Sequence, residues 1–446
     1  MRIIVANSSY IMILIYSEKK NKRLQYIFNL VFKDLLGWEF DIITDEENFI
    51  SSSEPKFSYH FKPIGNIPLI CSKELLFESQ LNHQEIKFTE VDGIRCPFAV
   101  YNDQSLFDFD IFAASFYLIS RYEEYLPHKK DFHKRFLASE STAYQNGFLQ
   151  KPVINIWVSW LEKILRNIYP ELPKSTRKYS FTPTYDIDIA WSYKNKGFTR
   201  NTGGFIRDLF KMNFVDIKNR YLVLTNRLDD PYDTYDLQNQ YVEKYHLKPI
   251  YFFLFGKSGP FDKNISNINR QFKVLIKEIN DLYNIGIHPS YQSNENSDIL
   301  KSEIKALQKT VHTEISKSRQ HFLKLSLPDT YRNLLNQGIQ HDYTMGYAEE
   351  PGFRAGICTP FYFYDLDLEV ETTLMIHPFT IMDGTLRDYL KSDISSAKEI
   401  ISKLIEEVKN VNGECISLWH NETLSNKGKW SGWNEVYEHL LKKATS

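Results

Sequence analysis

From residue 178 onward, short apolar runs that read as strands alternate with longer runs of helical periodicity, and this alternation leaves few folds open. Residues 179–185 read as a strand ending in Asp186-Ile187-Asp188, residues 233–246 as a helix, and residues 248–255 as an apolar strand. A helix over 268–283 leads into Ile285-Gly286-Ile287-His288. Further short strands are predicted to precede or contain Arg319-Gln320-His321-Phe322, His341-Asp342-Tyr343-Thr344, Leu374-Met375-Ile376-His377 and Ile416-Ser417-Leu418-Trp419-His420. About seven strands with helices between most of them argue for a parallel sheet or a (β/α) barrel, since parallel neighbours need a crossover.

The chain before residue 178 reads differently. Leu24, Ile27, Phe28, Val31 and Leu35 recur at helical spacing, with Gly37 placed to stop the helix. Residues 108–126 form a second helical stretch closed by Pro127, and residues 153–169 a third, striped with Trp157, Trp160, Leu161, Ile164 and Leu165. Pro170-Glu171-Leu172-Pro173, followed by Lys174-Ser175-Thr176-Arg177-Lys178, has the composition of a linker. A chain of 446 residues is too long for one compact core. Two domains are therefore expected: a smaller α+β domain over 1–173 and a (β/α) domain over 178–446.

Composition narrows the function. Hydrophobic residues at 42% and charged residues at 25% are those of a soluble globular protein. A net charge of −2 makes no electrostatic case for nucleic acid or an anionic membrane. Aromatic residues reach 15%, which suits a bulky core before a sugar-stacking surface. Cys71, Cys96, Cys358 and Cys415 lie far apart without a CxxC pair, as free thiols in a reducing compartment do. Residues 1–16 faintly resemble a signal peptide, but Asn7, Ser8 and Ser9 interrupt the apolar run and no small-residue cleavage site follows. Ile13-Leu14-Ile15-Tyr16 reads better as a buried first strand. No apolar run reaches about 18 residues, so no transmembrane segment is expected, and the cytoplasm is the expected location.

The chemistry-bearing residues fall where such folds do their work, at the carboxyl ends of strands. Asp186 and Asp188, His288, Arg319 with His321, Asp342 and His420 each lie at or near a predicted strand end. Singly, each has an ordinary reading: an Asp-x-Asp also serves phosphotransfer enzymes and nucleotide-sugar transferases, or caps a helix. Phosphotransfer would need Thr or Val two residues after the second Asp, where Ala190 stands. The ordered set points to one mouth lined with potential metal ligands and acid/base groups.

These motifs carry a resemblance. From Lys178 to about His420 the chain resembles the polysaccharide deacetylases of the chitooligosaccharide-deacetylase type, in a variant with an extra uncharacterised N-terminal domain. Thr184-Tyr185-Asp186-Ile187-Asp188 is similar to that family's Thr-Phe-Asp-Asp motif, and residues 248–254 to its Ala-Thr-Phe-Phe strand. His288-Pro289-Ser290-Tyr291-Gln292-Ser293 stands at the metal-binding His motif, Ser318-Arg319-Gln320-His321-Phe322 at the Arg-x-Pro motif, Asp342 at the fourth motif, and Leu418-Trp419-His420 at Leu-x-His. Two departures fall on metal ligands. Ile187 separates the two aspartates, and Gln292 and Ser293 hold the place of the second His.

The resemblance implies a distorted (β/α)7 barrel and a metal-dependent hydrolase that removes an acetyl group, N-acetyl before O-acetyl, from a saccharide or lipid-linked sugar. It implies a divalent ion, zinc first, held by Asp188 and His288 with His321 as third ligand, or with Ser293 or water in its place. Asp186 would act as general base and His420 as general acid. Arg319 would hold Asp186, and Asp342 would orient Arg319 or His420. Trp191, Tyr343, Tyr347 and Trp419 are the candidates for stacking on sugar rings. The competing expectation is a catalytically inactive relative that binds a glycan or supports an assembly, for which the missing second His argues.

Overall fold

The computed structural model describes residues 12–446. The start of the signal-like segment, residues 1–11, lies outside the described residues. A first sheet holds β1 (Met12–Tyr16), β2 (Glu39–Ile43), β3 (Lys56–His60) and β4 (Leu69–Cys71), all parallel in the order β2-β1-β3-β4. The predicted first strand is there, with Ile13 and Ile15 fully buried. The helix that follows starts at Lys22, where the Asn21 side chain accepts from the Leu24 amide, and widens into π-type turns over Asn29–Leu36. It stops at Gly37, whose φ of 71° is left-handed and favours glycine. A hairpin of β5 (Phe88–Val91) and β6 (Ile94–Pro97) precedes the helix Ile111–Ile119, capped by Asp110 through the Phe112 and Ala113 amides. The helical stretch predicted over 108–126 is split, because Arg121 adopts a left-handed φ of 54°. A second short helix, Tyr122–Tyr125, follows that break.

The larger sheet has nine strands: β7 (Ser180–Ile187), β8 (Ile250–Leu254), β9 (Asn284–His288), β10 (Lys317–Ser318), β11 (His341–Asp342), β12 (Phe361–Asp365), β13 (Val370–Ile376), β14 (Ile381–Met382) and β15 (Glu414–His420). Their order is β12-β13-β11-β10-β9-β8-β7-β15-β14, with only β12 antiparallel to its neighbour. The expected alternation is thus a mixed α/β architecture with a mainly parallel sheet. It is not a closed barrel: among the described residues the ladder ends at β12 and β14. The chain between β13 and β14 does cross from one side to the other, with the His377 amide donating to Asp342 O and the Thr380 amide to Ile416 O.

The two-residue period of the strands separates two cores. Tyr185 and Ile187 of β7, Tyr251 and Phe253 of β8, and Trp419 of β15 pack outward among the helices. Ile250 and Phe252 of β8 and Ile416 and Leu418 of β15 point the other way, and join Tyr343, Phe379 and Met382 on the concave face. Gly286 permits that face to close. A Cβ there would lie 2.6 Å from the Phe252 ring and 2.8 Å from the Lys317 carbonyl oxygen.

Buried charge ties the first 170 residues to the later chain. Arg354 donates to both oxygens of Glu124, while Arg121 donates to Glu123, Glu124 and the Arg354 carbonyl. Burial pushes the Glu124 carboxyl up, but Arg354 and Arg121 outweigh it and hold the pKa at about 2. Glu124→Gln leaves two buried guanidinium groups facing a neutral amide, and urea denaturation should show a loss of about 3–5 kcal/mol. Because folding depresses this pKa, the contribution is fully present above the ordinary value of 4.5 and is lost as pH falls toward about 2. Across that window the stability of Glu124→Gln should fall less steeply than that of the wild type.

Candidate active site

The strand ends place the polar residues. On β7 the inward parity of Thr184 and Asp186 continues to Asp188, just past the strand, so Ile187 separates the aspartates without turning them apart. His288 ends β9 and His420 ends β15. The strand predicted to precede or contain Arg319-Gln320-His321-Phe322 is Lys317–Ser318, which precedes it. Beyond it the chain turns, with Phe322 and Leu323 at φ 59° and 53°. His321, just before that turn, lies against Asp188, while Arg319 stays inside the concave face.

Three donor groups converge. His288 Nε2 lies 3.1 Å from Asp188 Oδ1, and His321 Nε2 lies 3.4 Å from Asp188 Oδ2. Taken together, one ligand atom from each of Asp188, His288 and His321 lies within 4.8 Å of the others. The second nitrogen of each ring fixes its tautomer. His288 Nδ1 is 2.5 Å from the Arg319 carbonyl oxygen, and His321 Nδ1 is 2.9 Å from Asp262 Oδ1. Both partners only accept, so each Nδ1 carries hydrogen and each neutral Nε2 presents a lone pair to the carboxylate. Asp188 Oδ1 is buried and finds no hydrogen-bond partner. Lone pairs facing a carboxylate repel unless protons or a cation stand between them, so this set fits a divalent ion. Without an ion, protons take that part. Burial opposes charge on Asp188, but His321 and His288 hold its pKa well below the carboxylate range. Burial likewise opposes the His321 imidazolium, yet Asp188 and Asp262 raise it to about 9.

Beside this cluster lie the remaining groups. Arg319 Nη1 donates to Asp186 Oδ1 at 2.9 Å and to Thr184 Oγ1 at 2.6 Å, and its Nε donates to the Tyr343 carbonyl oxygen. The other Asp186 oxygen, Oδ2, lies 3.8 Å from His288 Nε2. His420 Nε2 lies 3.8 Å from Asp188 Oδ2, while its Nδ1 and backbone amide are both held by Asp383. Burial disfavours the His420 imidazolium, but Asp383, with Asp188 and Asp186 beyond it, raises the pKa well above the ordinary imidazole value.

Several expected roles do not fit the geometry. Asp342 reaches neither Arg319 nor His420. Its two oxygens are taken by the Ser318 hydroxyl and by the Thr344 amide and hydroxyl, and Arg319 is held by the Tyr343 carbonyl instead. Ser293 Oγ donates to the Ser290 carbonyl and does not line the cavity over Asp188. The four stacking candidates are buried and none lines the cavity. Trp419 faces Tyr437 because its neighbour His420 faces inward, and residues adjacent in a strand point to opposite sides. Trp191 packs in the main core. Tyr343 stacks on His377 beneath the site, and the Tyr347 hydroxyl accepts from Arg121.

The cavity above the cluster is about 220 Å³ and is lined by Asp186, Asp188, His288, His321 and His420, with Phe322, Tyr389 and Trp430 as its aromatic walls. Arg135, from the first part of the chain, reaches its rim and donates to the Phe322 carbonyl and the Tyr389 hydroxyl. Sequence reasoning missed Asp262 and Asp383. Asp262 sits in an irregular loop without strand or helix signal. Asp383 follows the two-residue strand β14, and that strand end was the one available signal.

Residues 13–170 match a family of unknown function (DUF7033). No curated protein matches the sequence. Among solved structures, the chain is similar to a protein of Mycobacterium smegmatis assigned as a polysaccharide deacetylase. The two share 11% identity over 59% of this chain and 84% of that one, with a TM-score of 0.38. It is similar to the polysaccharide deacetylase Bc1974 from Bacillus cereus at 12% identity, over 60% of this chain and 87% of that one, with a TM-score of 0.31. A mutant of BA3943, described as a CE4 family pseudoenzyme, is similar at 10% identity over 60% and 64% of the two chains, with a TM-score of 0.29. The chain is also similar to a 4-alpha-glucanotransferase from Thermococcus litoralis, at 15% identity over 60% of this chain and 38% of that one, with a TM-score of 0.33.

One consequence of the Asp383 contact is measurable without substrate. Asp383→Asn removes the nearest negative charge from His420, so the ring titration followed by NMR in metal-free protein should shift to lower pH. An unchanged His420 titration would remove Asp383 from the site.

Proposed function

We propose that this chain is a metal-dependent hydrolase that removes an acetyl group, N-acetyl before O-acetyl, from a saccharide. The observation that carries the reading is the Asp188 carboxylate between two imidazole lone pairs, at the floor of a cavity shared with Asp186 and His420. The donor set of two imidazole nitrogens and one carboxylate suits zinc with a position left open. When bound there, such an ion supplies Lewis acidity to the acetyl carbonyl and to the attacking water.

The chain's own residues do the rest. Asp186 Oδ2 takes the proton of the attacking water, while Oδ1 stays committed to Arg319. His420 Nε2 gives a proton to the departing amine, and Asp383 holds its ring in the required tautomer. Phe322, Tyr389 and Trp430 offer the sugar apolar faces in place of the four buried aromatics. The crossing of residues 377–380 from β11 to β15 supports reading the large sheet as a distorted barrel. Residues 178–446 would then form the catalytic domain. Residues 1–173 would form a supporting one that contributes Arg135. The four cysteines, buried and unpaired, suit a reducing cytoplasm. No helix among the described residues is long and apolar enough to cross a membrane.

Metal content and turnover on an acetylated sugar, measured side by side, test the reading. His420→Ala should lose on the order of 10²–10⁴ in turnover and keep its metal. His288→Ala should lose both, because a vacancy among the ligands weakens binding before proton transfer matters. If the wild type holds no metal and both variants equal it on every sugar, an inactive glycan-binding protein replaces the hydrolase.

A further inference from the structure

The helices Gly197–Phe210 and Phe214–Leu224 form a hairpin whose first helix is inverted relative to ordinary amphipathic packing, while the second buries Arg220 and Val223. On the first helix Phe198, Phe205 and Leu209 share one face that is turned to solvent, and Phe210 ends the helix beside it, with Phe198 and Phe210 86% and 85% exposed. Its one buried residue is Asp208. Met212 at the turn, 77% exposed, and Phe214, Val215 and Tyr221 on the second helix continue the apolar crest. The polar side faces inward over a cavity of about 750 Å³. Seven of the residues lining that cavity are Lys or Arg, against one acid, Asp216.

The charges are only partly compensated. Arg207 and Arg220 pair with Asp208, and Lys429 pairs with Asp388. Among the described residues, Lys196, Arg200, Lys263 and Lys427 make no ion pair. Burial, with Arg200 and Arg220 nearby, pushes Lys196 down to about 8, as cations crowded together do. This cavity and the one over Asp188 meet at Lys429 and Trp430, which line both. The near-neutral total charge therefore hides a local concentration of positive charge beside an exposed apolar crest. That combination is what a helix lying in a bilayer surface presents to anionic headgroups.

We propose that the hairpin 197–224 docks on an anionic membrane surface, and that the cationic cavity behind it holds the phosphate of a lipid-anchored saccharide whose sugar reaches Asp188. The second half rests on the saccharide reading above, while the docking half does not. The apolar crest enters the boundary between headgroups and acyl chains, and Lys263 and Lys427 meet the phosphates at its edge.

The test is sedimentation of the full chain with phosphatidylcholine vesicles, plain or mixed with phosphatidylglycerol. The wild type should pellet with the mixed vesicles, and more weakly as salt rises. Phe210→Ser and Phe214→Ser touch exposed positions that support no packing, and each should weaken retention roughly tenfold. Lys263→Glu with Lys427→Glu should remove the preference for phosphatidylglycerol. Wild-type protein left in the supernatant with both vesicles overturns docking, whether or not it binds inorganic phosphate in a calorimeter. Serine variants that bind as well as the wild type also overturn it. So does a wild-type dimer that these variants convert to monomer, since the crest would then be a self-association face. Hydrolysis of a soluble acetylated sugar by the serine variants should equal wild type. Activity without vesicle binding would sink docking alone, and vesicle binding without activity would sink the hydrolase alone.

Discussion

A single guanidinium, fully buried under the cavity, ties the concave side of the large sheet together. Arg319 links Thr184 and Asp186 on β7 to the carbonyl of Tyr343 just after β11, and its planar group lies over Phe252 of β8 and near Phe379 before β14. A charge with no exposure is tolerated only with such partners, and leaving one member of a buried pair alone costs about 3–5 kcal/mol. The same contacts aim Asp186 into the cavity, and the Arg319 backbone carbonyl fixes the His288 ring. The guanidinium and the backbone of one residue thus orient Asp186 and the His288 ring together.

The fixed orientation extends outward by carboxylates. Asp262 holds His321 and Asp383 holds His420, so three rings present their Nε2 atoms toward Asp188. This separates the imidazoles by position. His288 and His321 lie nearer Asp188 than His420 does, and His420 is the one held by Asp383 at both its ring and its amide. The first 170 residues bear on this arrangement through Arg135 at the cavity rim and through the Glu124 network.

How far the sequence could be read depends on whether a residue's direction follows from local periodicity. Asp186, Asp188, His288 and His420 were legible because strand parity and strand ends decide where they point. Trp419 was legible in principle by the same parity, since inward His420 forces it outward. Tyr347 and Trp191 were not, because tertiary packing buries them and no local pattern shows it. His321 was legible from its place just after a strand expected beside that of His288, whereas Asp262 sits in a loop that converges only in three dimensions. The helix Gly197–Phe210 defeats pattern reading in another way: its periodicity is that of a core-facing helix, yet its apolar face is the exposed one.

The central claim is that Asp188, His288 and His321 form one divalent cation site. X-ray absorption at the zinc edge on the zinc-loaded full chain reads that directly. Two imidazole nitrogens and one or two oxygens at about 2.0–2.2 Å are expected, with the imidazole signal halved in His321→Ala. Sulfur scattering at about 2.3 Å, or a spectrum that His321→Ala leaves unchanged, would contradict it.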